Sequence, residues 1–225
     1  MKFLALDTST EYCSAALWLE GRVEARRALA GQAHSALLLP MIDALLADAG
    51  TALAALDGIA FGAGPGSFTG LRIACAVTQG LALGADLPVF GVSTLESIAE
   101  QSGGERVLSA LDARMAEVYW AAYERCDGGW KAVREPVLSL PEAVAVPDAR
   151  EWIGAGNGFA VLPASALPAL ARIDAGLWPD AASIARLAAP ALTAGRGYDA
   201  ARAAPVYLRD KVALTVAERR QRQRA

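Results

Sequence analysis

Leu4-Ala-Leu-Asp7 and Ser109-Ala-Leu-Asp112 are two copies of one pattern, an apolar run that stops on an aspartate; from 7 to 112 the shift is 105 residues. Around the first copy the chain reads as an apolar strand (Lys2–Leu6), a polar turn (Thr8-Ser-Thr-Glu11), a second strand (Tyr12–Glu20), a turn at Gly21-Arg22 and a third strand (Val23–Leu29), a β-meander. The first strand is apolar on both faces, which predicts a central place in its sheet. Around the second copy, Ala121-Ala122 answers Ala15-Ala16 and Gly128-Gly129 answers Gly21. The same order in both halves points to an internal duplication.

Further along, Ala33–Ala49 has helical period, with Leu37, Met41 and Leu45 on one stripe and Leu38, Ile42 and Leu46 beside it. Pro40 predicts a kink or an early break, and Gly50 an end. A short strand then enters Gly62-Ala-Gly-Pro-Gly-Ser-Phe-Thr-Gly-Leu-Arg72, and a small-residue helix, Leu71–Gly84, leaves it. Glycine turns that feed helix N-termini can bind anions. This one lacks the Gly-Lys-Ser/Thr of a P-loop, has Thr69 where a dinucleotide loop needs glycine, and flanks Ser67 with Pro65 and Thr69 rather than the glycines of a nucleophile elbow. Its spacing favours a tight turn that lets the helix pack closely, with Ser67 or Thr69 as the cap. Pro88–Val92 and Thr94–Gln101 add a strand and a helix, and Ser102–Glu105 reads as a joint.

Two βββαβα copies define a two-lobed α/β architecture, that of the actin-like and sugar-kinase-like (ASKHA) ATPases. The lobes are expected at 1–103 and 104–213, with 214–225 a basic tail without fixed structure. The second lobe is the more broken one, interrupted by Pro136, Pro141, Pro147, Pro163 and Pro168. Within it Trp152–Gly158 reads as a strand running into a glycine turn and Asp180–Thr193 as a helix with Ile184, Leu187 and Leu192 inward; Pro205–Leu208 is a short extended piece.

The 225 residues are 54% hydrophobic and 20% charged, with net charge −3 and pI near 5.3. That balance argues against a surface devoted to nucleic acid. Cys13, Cys75 and Cys126 form no disulfide framework or metal knuckle and read as buried thiols. Neither a signal peptide nor an uninterrupted membrane span is legible, so a cytoplasmic protein is expected. With one histidine, His34, no histidine-rich metal site can form, and any Ser-His-Asp triad would have to use it. Arg72 either binds an anion or pairs with an acid, and the pairing is favoured.

In an actin-like ATPase two acidic, glycine-containing turns hold phosphate and metal. The candidates here are Asp7 and Asp112, with Gly154 and Gly156 on the adenosine side. Neither acidic turn contains a glycine, and Arg114 and Met115 place long side chains where N–H groups should face phosphate. Phosphate binding is therefore expected to be weakened or lost, which leaves ATP binding open. Both aspartates also read as strand-end caps.

The motifs Leu4–Ser14, His34–Pro40, Gly62–Arg72, Gln79–Gly84, Gly91–Leu95, Leu111–Tyr119 and Pro205–Arg209 together resemble the bacterial TsaB (YeaZ) family nearly end to end, most specifically over the first 120 residues. The resemblance implies a subunit for making N6-threonylcarbamoyladenosine on tRNA beside the anticodon. It implies a heterodimer with the TsaD transferase, TsaE as third component, tRNA reached through the complex, and a homodimer when alone. TsaD carries a His-x-x-x-His metal motif that this sequence lacks, so no catalytic residue, metal or required cofactor carries over. The implied pairing contacts are His34, Leu38, Met41, Ile42, Leu45, Leu71, Ala74 and Gln79. A stand-alone nucleotide hydrolase and a glycoprotease-like peptidase are the alternatives.

Overall fold

The computed structural model describes residues 1–163 and 170–209; the basic tail anticipated at 214–225 lies outside them. The first meander forms as read: β1 (Lys2–Asp7), β2 (Tyr12–Leu19) and β3 (Arg22–Leu29). After α1 (His34–Asp48), β4 (Ile59–Gly64) leads into α2 (Phe68–Ala85), and β5 (Val89–Ser93) into α3 (Thr94–Gln101). The strand order is β3-β2-β1-β4-β5, with β1 central: antiparallel to β2 and parallel to β4. Both of its faces are buried, Leu4 and Leu6 under α1 and α2, Phe3 and Ala5 on the opposite side.

The second half repeats the plan with β6 (Arg106–Asp112), β7 (Val118–Cys126), β8 (Gly129–Ser139), β9 (Ile153–Ala155) and β10 (Arg172–Asp174). Its order, β8-β7-β6-β9-β10, matches the first sheet position for position, with β6 in the place of β1. Duplication is thus visible in topology. Strands β9 and β10 are three residues each, in keeping with the broken character read from the prolines. Among the described residues the last α-helix is α4 (Ala181–Thr193), capped by Asp180, whose carboxylate accepts from Ser183 N at 2.7 Å.

The lobes are not consecutive in sequence, which corrects the division at 103/104. Leu95, Ile98 and Ala99 of α3 pack against Val107, Leu111, Tyr119, Ala121 and Tyr123 of the second sheet. Conversely, Ile184, Ala185, Ala188 and Leu192 of α4 cover Phe3, Ala5, Ala16 and Ala60 of the first. Each sheet needs both faces covered. The first obtains its second cover from 181–193, and the second borrows α3.

Two smaller expectations also change. Pro40 does not break α1, which runs on to Asp48. Its exposed ring faces water, while Leu38, Ile42 and Leu45 are buried on either side of it. Burying each of those chains contributes about 1.5–3 kcal/mol, enough together to offset the ~3 kcal/mol cost of an interior proline. Cys13 and Cys75 are buried thiols, but Cys126 is exposed at the β7–β8 hairpin.

Candidate functional site

The glycine turn between β4 and α2 is wrapped around the end of β1. Ser67 N donates to Ser9 O at 2.7 Å, and Thr8 Oγ1 donates to Gly70 O at 2.7 Å. A Cβ on Gly66 would stand 2.5 Å from Ser9 O, and one on Gly70 1.9 Å from Thr8 O. The glycines therefore serve close approach of two backbones, the plainer of the two readings of this stretch. Gly64 alone of the turn's glycines has a positive φ, +126°. Ser67 is the cap, its hydroxyl accepting from Gly70 N.

This packing seals Asp7. Its Oδ1 accepts from Ser9 N at 3.1 Å and Ser9 Oγ at 2.9 Å, while Oδ2 is buried without a partner. Burial raises its pKa to about 7, against the opposing pull of the Ser9 bonds. Asp112, its counterpart on β6, does reach the cleft. It is committed to Arg114, accepting the Arg114 backbone N–H at 2.7 Å and its guanidinium at 3.0 Å.

The cleft lies between the lobes and has a volume of about 750 Å³. Ser9, Phe68 and Thr69 line one wall, Asp112, Arg114, Tyr119 and Asn157 the other, and Tyr207 and Arg209 cross between them. Of the four residues anticipated as nucleotide ligands, Asp112 alone is among its lining residues. Gly154 packs against Phe159, and Gly156, at φ +107°, lies where a Cβ would meet Ala110 O at 2.2 Å. Both glycines make room inside the second lobe and do not form an adenosine turn at the cleft.

His34 opens α1 with Nε2 2.8 Å from Thr10 O, tying that helix to the β1–β2 turn. It is 6% exposed, and this bond is its role in the fold. Among the described residues no three His, Cys, Asp or Glu side chains cluster as for a metal ion.

The anticipated pairing contacts need the largest correction. His34, Leu38, Ile42, Leu45, Leu71 and Ala74 are buried within the protein's own first lobe. Met41 is half-buried against the same core, and Gln79 is spent on Ala203 O at 3.0 Å. A helical stripe marks the face that must be covered and is silent on what covers it; here the first sheet does. The faces left open carry Ala36, Leu39 and Asp43 on α1 and Phe68, Ala76, Gly80 and Leu83 on α2. Leu39 is 45% and Leu83 64% exposed. Arg72 pairs with no acid among the described residues. Its guanidinium lies 3.7 Å over the Phe68 ring, and its Nε donates to the Tyr207 hydroxyl at 2.9 Å. Sequence reading missed that cluster, because residues 68 and 207 are far apart along the chain.

A duplicated pair of five-stranded sheets facing each other across a cleft defines a protein of the ASKHA class. Comparison with known proteins narrows the class. The family model described as "TsaD: tRNA N6-adenosine threonylcarbamoyltransferase" matches residues 27–213. The tRNA threonylcarbamoyladenosine biosynthesis protein TsaB of Escherichia coli is 40% identical, covering 95% of this chain and 96% of its own. Its namesake in Haemophilus influenzae is 37% identical over 94% and 95%. The solved structure of YeaZ from Pseudomonas aeruginosa superposes with TM-score 0.88 at 45% identity, covering 92% of this chain and 99% of that one. The chain belongs to the TsaB (YeaZ) family.

Proposed function

We propose that the chain is a subunit without an active site of its own in the machinery that makes N6-threonylcarbamoyladenosine on tRNA beside the anticodon. It binds and activates a TsaD transferase together with TsaE, meets tRNA through that complex, requires no cofactor itself and works in the cytoplasm. The observation that carries this reading is its similarity to TsaB of Escherichia coli along nearly the whole of both chains. The absence of a reaction of its own is supported by the commitments of its acids: Asp7 is sealed under the β4–α2 turn, and Asp112 is neutralised by Arg114. A peptidase reading would need His34 as a base, yet its Nε2 is engaged by a backbone carbonyl.

The pairing surface in this reading is the open side of α1 and α2, with Leu39 and Leu83 as apolar anchors and Ala76 and Gly80 admitting a close helix. Without the transferase, two copies meet through the same face as a symmetric dimer. The test is reconstitution of tRNA modification from purified transferase, TsaE and this chain. Modification that depends on the chain, and fails with Leu83→Glu, supports the reading. Full modification without the chain overturns it, as does turnover of ATP or peptide by the chain alone.

A further inference from the structure

The motif Pro205-Val-Tyr-Leu-Arg209 is not absorbed by the pairing surface or by the cleft's acids. In the structure it ends a segment that starts on the first sheet and finishes on the second. Tyr198 and Val89 exchange both backbone hydrogen bonds, N···O 2.8 and 2.9 Å. Ala203 O then accepts from Cys75 Sγ and from Gln79 Nε2, both on α2. Val206 N donates to Ala63 O at 2.7 Å, and its carbonyl lies 2.6 Å from where a Cβ on Gly64 would be, so only glycine lets the segment pass there. The Tyr207 ring packs against Phe68 at a 35° tilt, centroids 5.4 Å apart, and its hydroxyl accepts from Arg72.

From there the segment leaves the first lobe. Leu208 packs into the core of the second. Arg209 reaches the β6–β7 turn with both arms of its guanidinium: Nη2 lies 3.0 Å from Ala113 O and 2.8 Å from Glu117 Oε2, and Nη1 lies 3.1 Å from Met115 Sδ. The turn it grips is strained. Arg114, Met115 and Ala116 have φ of 61°, 58° and 58°, three consecutive non-glycine residues in the left-handed region. Such residues cost about 1–3 kcal/mol each and persist where the surroundings over-determine them. The turn is closed by its own backbone bonds, Ala113 N to Glu117 O at 3.0 Å and Glu117 N to Arg114 O at 3.1 Å, and is held from outside by Asp112 on one side and Arg209 on the other.

We infer that Tyr198–Arg209 is a strap linking α2 to the far wall of the cleft, with Arg209 as its latch, so that a force applied to α2 is felt at the turn Arg114–Ala116. It ties the lobes together across the cleft mouth and holds the turn in its left-handed conformation. The two-armed grip asks for the planar fork of arginine, which lysine cannot reproduce. This inference does not depend on which partner meets α2.

Hydrogen exchange read by mass spectrometry on the full-length chain tests it. With Arg209→Ala, exchange in residues 113–118 is expected to accelerate about tenfold or more, the range for losing hydrogen bonds to a charged group, while β1 and β6 stay protected. Arg209→Lys should fall between the two. The decisive variant is Tyr207→Phe, which touches only the α2 end of the strap. Faster exchange at 113–118 in that variant supports transmission along the strap. Exchange there unchanged in both Tyr207→Phe and Arg209→Lys overturns the inference. So does an Arg209→Ala effect that spreads evenly over both sheets, because the residue would then support the whole fold rather than latch one turn.

Discussion

A Cβ on Gly62 would stand 2.1 Å from Oδ2 of Asp7. The two residues lie side by side at the ends of parallel strands β1 and β4, where Leu6 pairs with Phe61 one position earlier. Glycine at 62 is the space in which a buried carboxylate is stored. Gly62→Ala is expected to destabilise the protein by about 1–3 kcal/mol, the usual cost of forcing atoms into a filled interior. Gly80→Ala, on the open side of α2 with nothing within 4 Å, should instead stabilise by about 0.5–1 kcal/mol. Urea midpoints measure both; a Gly62→Ala midpoint equal to wild type would contradict the packing described.

Burial holds the Asp7 carboxyl at about 7, up from 3.8, and that of Glu96 at about 7, up from 4.5, the latter aided by Glu100. An acid with a raised native pKa keeps its proton after the unfolded chain has lost it. Between about pH 4 and 7 the native state therefore binds more protons, so these two groups make stability fall as pH rises through that window and level off above it. The slope per group is at most about 1.4 kcal/mol per pH unit. Asp7→Asn should flatten the curve of unfolding free energy from pH 4.5 to 8. An unaltered slope would mean that Asp7 titrates normally.

Because α3 serves the second sheet and α4 the first, a fragment of residues 1–103 lacks the helix that covers Phe3, Ala5 and Ala60. It should lack cooperative thermal unfolding and bind a hydrophobic dye, whereas the full chain melts in one transition. A well-folded fragment with dispersed amide resonances would restore a consecutive division of lobes.

On α2, charge has opposite consequences on opposite faces. Ala74 has no exposed area, and Ala74→Glu is expected to unfold the first lobe. Leu83 is largely exposed, and Leu83→Glu should leave the melting temperature within a few degrees of wild type. Under the proposed function it weakens transferase binding about tenfold or more, as loss of an interface anchor does. Titration calorimetry with the transferase separates the cases; undiminished affinity in folded Leu83→Glu would move the pairing surface elsewhere.

The paired runs ending at Asp7 and Asp112, the two meanders and the helices at 34–48 and 68–85 were legible because each rests on local pattern: apolar runs, glycine turns and a 3.6-residue period. The Gly62–Gly70 turn was legible as close packing, though its partner, the Asp7–Ser9 turn, was not. Six of the eight anticipated pairing residues lie inward because the most apolar stripe of a helix is the one its own sheet takes first. The family came from the motifs, and the comparisons show it.

The sequence by itself determined the duplicated strand order, the family and the want of glycine in both acidic turns, since all three are written in short stretches of neighbouring residues. Only the tertiary structure decided which helix covers which sheet, that Asp7 is sealed while Asp112 meets Arg114, and that Arg209 grips a turn some ninety residues before it. Covering a sheet face requires apolar area of the right shape at the right place, and a helix from either half of the chain meets that demand equally well. Local pattern fixes what each piece is; competition among the pieces for the same buried space fixes where it goes.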